Sequence, residues 1–79
     1  MPKPQEILGR AIKHRREELG ISQENLAEKA KLHRTYISDI ERGVRNVSLQ
    51  NMVSLIHSLE ISISDFFENY AADLDKPKK

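Results

Sequence analysis

Residues Gln23 to Arg42, reading QENLAEKAKLHRTYISDIER, constrain this chain more than any other stretch. They encode two short helices that meet at a tight turn. Ser22 is placed to cap the first helix, whose inward positions are Leu26, Ala27 and Ala30. After a break at Lys31 and Leu32, a second helix turns Ile37 and Ile40 inward at i,i+3 spacing. Ala27 is small where the two helices must approach closely. With its apolar row committed to the core, the second helix is left with a polar outward face.

The remainder reads as three further helices and no strands, which gives an all-α domain: a compact five-helix unit with short connections. The first helix runs from about Gln5 to Leu19, with Leu8, Ile12 and Leu19 on one face, Ala11 beside them and Gly20 as a left-handed stop. The central pair covers roughly Gln23 to Lys31 and roughly Arg34 to Arg42, the latter stopped by Gly43. Val44 to Val47 then loop to Ser48, which caps a fourth helix with the inward stripe Met52, Leu55, Ile56 and Leu59. Ser62 and Asp65 open the fifth as a capping box, with Asp where Glu is usual. Ile63, Phe66, Phe67, Tyr70 and Leu74 continue one apolar stripe over three turns of it. Residues 1–75 are expected to form one domain, and residues 76–79 a flexible tail.

Seventy-nine residues suffice for one modest core and no second. Cysteine is absent, so neither a disulfide nor a thiolate metal site supports the fold. The opening MPKPQEILGR lacks the apolar run of a signal peptide, and nothing later is long enough to span a bilayer. A cytoplasmic chain with no membrane partner is expected. The net charge of +1 conceals a segregation. Residues 1–47 hold ten Lys/Arg against seven Asp/Glu, whereas residues 48–75 hold five acids and no Lys or Arg. Such a domain can turn one face to phosphates and keep the other away from them.

Two helices around a tight turn form the helix-turn-helix unit, whose second helix fits the major groove of DNA. With Ile37 and Ile40 inward, Thr35, Ser38 and Asp39 point outward, flanked by Arg34 and Tyr36. Arg34, Thr35 and Tyr36 occupy the first turn, the part that enters the groove. Arginine can donate twice to the O6 and N7 of guanine, threonine offers a methyl and a hydroxyl, and tyrosine can reach a phosphate or a thymine methyl. The alternatives stay open here: a phosphate contact for Arg34, and packing against the preceding helix with a solvated hydroxyl for Tyr36. Asp39 either accepts from cytosine N4 or pairs with a nearby arginine. Phosphate contacts are expected from Gln23 at a helix N-terminus, from Arg42, Arg45 and Asn46 around the loop, and from Ser48, which also serves as a cap.

Arg16 lies close to the stripe of the first helix and Glu41 near the inward face of the third. Their joint explanation is a partly buried ion pair clamping the two helices. The fifth helix carries more apolar surface than a small monomer needs. Phe66 is assigned to the core, and Phe67 and Tyr70 to a boundary between two copies of the chain.

The run SQENLAEKAKLHRTYISDIERGVRN resembles the helix-turn-helix of the lambda-repressor and Cro-like regulators. More narrowly, RTYISDIERGVRN followed by a Ser-Leu helix start is similar to the controller proteins of restriction–modification systems. The resemblance implies an all-helical homodimer on a pseudo-palindromic operator of double-stranded DNA, regulating transcription beside its own promoter. It carries phosphate contact onto Gln23, groove contact onto Arg34, Thr35 and Tyr36, and backbone contact onto Arg45 and Asn46, and it supports the Arg16–Glu41 pair. Two departures stand out: Lys31 where the turn usually has glycine, and His33 where a stronger helix cap is common.

Other classes fit less well. His14, His33 and His57 are separated by the helices and have no cysteine or clustered acids beside them, so neither an enzyme nor a metal site is expected. There is no phosphate-binding glycine loop, and no cofactor or small-molecule ligand is expected. Two alternatives remain: a generic phage or bacterial repressor, and an antitoxin-type module whose fifth helix binds a foreign protein.

Overall fold

The structure, a computed structural model, describes residues 2–75; the tail expected at 76–79 lies outside the described residues. The helices are α1 (Pro4–Glu18), α2 (Gln23–Ala30), α3 (Arg34–Glu41), α4 (Leu49–Ser58) and α5 (Ile63–Tyr70), followed by a 3-10 turn over Ala72–Asp75. No strand occurs among the described residues.

Local chemistry sets most of the boundaries. Pro4 starts α1 one residue earlier than expected, because its fixed φ suits the first helical position and its missing N–H costs nothing there. The Glu6 carboxylate accepts from the Lys3 backbone N–H at 2.7 Å. Ser22, Ser48 and Ser62 each cap a helix through Oγ, accepting from the backbone N–H of Asn25, Asn51 and Asp65 at 3.0, 3.1 and 3.1 Å.

Two helix ends fall one residue inside the rough bounds expected for them, and one expectation is corrected. Lys31 is not the last residue of α2: it adopts the left-handed conformation (φ 59°, ψ 43°), and the Leu32 N–H reaches back to the Ala27 carbonyl at 2.9 Å. Arg42 likewise caps α3 rather than extending it, since Gly43 turns left-handed (φ +75°) behind it. The apolar stripe of the fifth helix does not run through three helical turns. The chain leaves α5 at Ala71 (φ −129°), burying its methyl, and Leu74 comes back on the 3-10 turn.

The core is one cluster: Leu8, Ala11 and Ile12 of α1; Leu26, Ala27 and Ala30 of α2; Ile37 and Ile40 of α3; Leu55, Ile56 and Leu59 around the end of α4; Phe66 and Ala71. α1 packs on both α3 and α5, and α2 packs on both α3 and α4. Arg15 fastens α1 to the far end of α4. Its guanidinium donates to the carbonyls of Leu59 (3.0 Å) and Glu60 (3.2 Å), acceptors beyond the reach of the helix's own N–H groups. Lys29 pairs with Glu60 at 2.9 Å across the surface from α2. Among the described residues, no helix is long and apolar enough to cross a membrane.

Candidate nucleic-acid interface

α3 sinks Ile37 and Ile40 entirely into the core and thereby fixes which of its side chains face out. Arg34 and Thr35 are exposed on its first turn and have no hydrogen-bond or ion-pair partner among the described residues. His33, the residue before the helix, makes no side-chain cap bond, so the α3 N-terminus relies on backbone geometry alone.

The flank of α3 is more organised than its tip. Asp39 pairs with Arg42 and lies 3.9 Å from the Arg45 guanidinium, so of the two readings open for it the structure displays the arginine pairing. Ser38 is half-buried beside it. The Tyr36 hydroxyl is not left to solvent. A half-buried phenol needs a polar partner, and the Tyr36 hydroxyl finds one in α4, accepting from Asn51 Nδ2 at 3.1 Å. The Arg45 guanidinium sits over the Tyr36 ring, 4.8 Å from its centroid.

The residues expected at phosphates lie at the start of α2, on the turn and loop after α3, and at the cap of α4. Arg42, Arg45 and Asn46 are exposed along the turn and loop that follow α3. Ser48 Oγ is already the acceptor of a helix cap, which leaves its hydroxyl proton free to donate outward. Gln23 begins α2, and its side-chain amide donates to Glu41 at 3.0 Å.

The Arg16–Glu41 pair is present and two-pronged. Arg16 Nε and Nη2 meet the two carboxylate oxygens at 2.7 and 3.1 Å, and Nη1 donates to the Ile21 carbonyl at 2.9 Å. The Glu41 side chain is 3% exposed and that of Arg16 12%. The hydrogen bond to Glu41 holds the Arg16 guanidinium above its ordinary range, against the opposing effect of burial. No buried side-chain polar atom lacks a partner among the described residues.

The two aromatics assigned to a boundary between copies take different positions. Phe67 lines an open apolar groove of about 440 Å³ with Pro4, Leu8, Val47, Met52 and Leu74. Tyr70 turns toward α1: its ring stacks on Phe66 at 5.8 Å, meets His14 edge-on at 5.3 Å, and its hydroxyl donates to the Glu18 carboxylate. Sequence reasoning missed the contacts of Asn51 and Arg15, since both bridge helices far apart in the chain. Neither carries a local signal beyond a polar side chain near a helix end.

Residues 12–66 match a protein-family model described as helix-turn-helix. The chain is 52% identical over 48 residues to the control protein C.BamHI of Bacillus amyloliquefaciens, a stretch that is 61% of this chain and 59% of that protein, under two thirds of its length. It is 44% identical to the control protein C.MunI of a Mycoplasma species, over 72% of this chain and 77% of that one. Among solved structures, the restriction–modification controller protein C.Esp1396I, a tetramer in complex with its natural 35 base-pair operator, superposes with a TM-score of 0.83 at 38% identity, over 92% of this chain and 96% of that one.

Proposed function

From a chain that belongs to the helix-turn-helix family, and within it to the restriction–modification controller proteins, we propose a sequence-specific regulator that binds DNA as a homodimer and controls transcription from its own promoter region. The observation that carries this reading is the first turn of α3. Arg34 and Thr35 stand exposed, without a partner among the described residues, on a helix whose other face is locked into the core. A side chain so placed keeps its hydrogen-bonding capacity for a base edge, and the helix behind it is too well anchored to turn away.

In this mechanism a dimer sets its two α3 helices in successive major grooves, about 34–36 Å apart. Arg34, Thr35 and Tyr36 read bases, with Ser38 and Asp39 at the edge of the groove. Gln23, Arg42, Arg45, Asn46 and Ser48 hold the phosphates, so that affinity falls as salt rises. Phe67, in its open apolar groove, and Tyr70, on the α1 side of α5, supply the contact between copies. Occupancy then follows protein concentration, which suits a timer that acts on its own expression.

A gel-shift titration with DNA from immediately upstream of the gene, against scrambled DNA of equal length at physiological salt, tests the reading. Preferential shifts in one or two steps are expected, the count reporting one dimer or two. Equal weak shifts with both DNAs would overturn it and leave only a nonspecific basic face.

A further inference from the structure

We propose that Asn51, on α4 and outside the helix-turn-helix, is a specificity-determining positioning residue that makes the Tyr36 hydroxyl a hydrogen-bond donor toward DNA. The inference rests on the reading of Tyr36 as a DNA contact. A phenol hydroxyl has one proton to donate and, because its other lone pair is delocalised into the ring, one good in-plane lone pair with which to accept; in water it uses either. Here the Asn51 amide N–H occupies the accepting side at 3.1 Å. What remains for a partner outside the protein is the proton. Tyr36 is therefore matched to an acceptor on the DNA, a purine N7, guanine O6, thymine O4 or a phosphate oxygen. It is mismatched to the amino groups of cytosine and adenine.

Two further features support this polarity. Arg45 places its positive charge over the Tyr36 ring, 4.8 Å from the centroid, which draws electron density from the phenol and favours donation over acceptance. The Asn51 side chain is also positioned independently of DNA. Its own backbone N–H is held by Ser48 Oγ at 3.1 Å in the first turn of α4, so the amide is presented from a capped, ordered helix end. The bond thus exists before binding, and the hydroxyl meets the groove already oriented.

The test is a double-mutant cycle read as affinity for the operator and for operators substituted one base pair at a time. Asn51→Asp is the informative variant. A carboxylate suits the first turn of a helix, so the fold should hold, but it can only accept, and it turns the Tyr36 proton inward. Loss of one hydrogen bond of this kind corresponds to about tenfold in affinity. Y36F and N51D should each weaken binding by about that factor; in the Y36F background N51D should add only the sequence-independent, salt-screened loss that a new negative charge near phosphates brings, and no further loss at any one base pair. If the acceptor is a base, as a specificity role requires, the loss is confined to one base pair per half-site; a loss uniform across sequences would put the acceptor on a phosphate and overturn that role. An N51D protein that binds as wild type, or an N51D effect undiminished in Y36F, would overturn the role given to Asn51 while leaving Tyr36 as a contact. A Y36F protein that binds as wild type would remove Tyr36 from the interface, and the proposal with it.

Discussion

Gly9 of α1 passes so close to Ile40 of α3 that a Cβ built on Gly9 would stand 2.2 Å from the Ile40 carbonyl oxygen, with the Glu41 carbonyl oxygen at 3.0 Å. The obstacle is backbone at the end of α3, which cannot swing aside as a side chain would. Alanine normally gains up to about 1 kcal/mol over glycine within a helix. Here overpacking, at about 3 kcal/mol, outweighs that gain. Gly9→Ala should therefore lower stability by about 2 kcal/mol, measured as a fall in the urea midpoint with an unchanged slope.

The same junction carries the Arg16–Glu41 pair. Removing one partner leaves the other charge buried and unpaired, so Arg16→Ala or Glu41→Ala should each cost about 3–5 kcal/mol. Replacing both with apolar residues removes the uncompensated charge, so Arg16→Met with Glu41→Leu should be markedly more stable than either single alanine variant. Thermal unfolding of the four proteins checks the order. Since Glu41 also receives the Gln23 amide, the paired replacement should recover stability more fully than DNA affinity.

Lys31 holds a left-handed conformation that costs a residue with a Cβ about 1–2 kcal/mol. Glycine removes that cost and adds back part of it as unfolded-state entropy. Lys31→Gly should stabilise the protein by about 0.5–1 kcal/mol, seen as a higher melting temperature.

Glu60 has its carboxyl held below the ordinary value of 4.5, first through its hydrogen bond to Lys29 and then through the charge of that lysine. A lowered folded-state value means that the contribution is present above the ordinary carboxylate range and is lost as pH falls through the folded value. The effect is small because the pair is exposed to solvent. Acid titration of stability should show a shallower decline below about pH 4.5 in Glu60→Gln than in the parent chain.

These cases also mark what could be read from residue order alone. Capping serines, the Ile37–Ile40 row and the Leu55–Ile56–Leu59 stripe have local spacing that physics converts directly into helix ends and buried faces. The conformation at Lys31 was legible only through the resemblance, since the turn of helix-turn-helix regulators usually has glycine at that place. The break of α5 at Ala71 was not legible, since the apolar stripe continues through it and only tertiary packing favours burying that methyl. Within the candidate site, the outward-facing residues of α3 followed from helical periodicity. The hydroxyl partner of Tyr36 did not, because Asn51 lies fifteen residues away on another helix and nothing in its neighbourhood distinguishes it from a helix-start asparagine.

Arg34 and Arg45 separate the two halves of recognition. Arg34 extends from the first turn of α3 with no partner among the described residues, so its worth lies in what it meets in the groove. A two-pronged contact to guanine discriminates by about 1–3 kcal/mol. Arg45 sits on the loop, over the Tyr36 ring and near Asp39, where a cation reaches the DNA backbone more readily than a base edge. Arg34→Ala should relax the preference at one base pair of each half-site. Arg45→Ala should weaken all sequences, with only a minor added loss at the base pair that Tyr36 reads, and reduce the slope of log K against log salt by about 0.9 for each phosphate that the side chain neutralises. Binding to matched and singly substituted operators over a range of salt resolves both quantities at once. If the two variants change specificity and salt slope in the same way, the division between reading and holding is wrong.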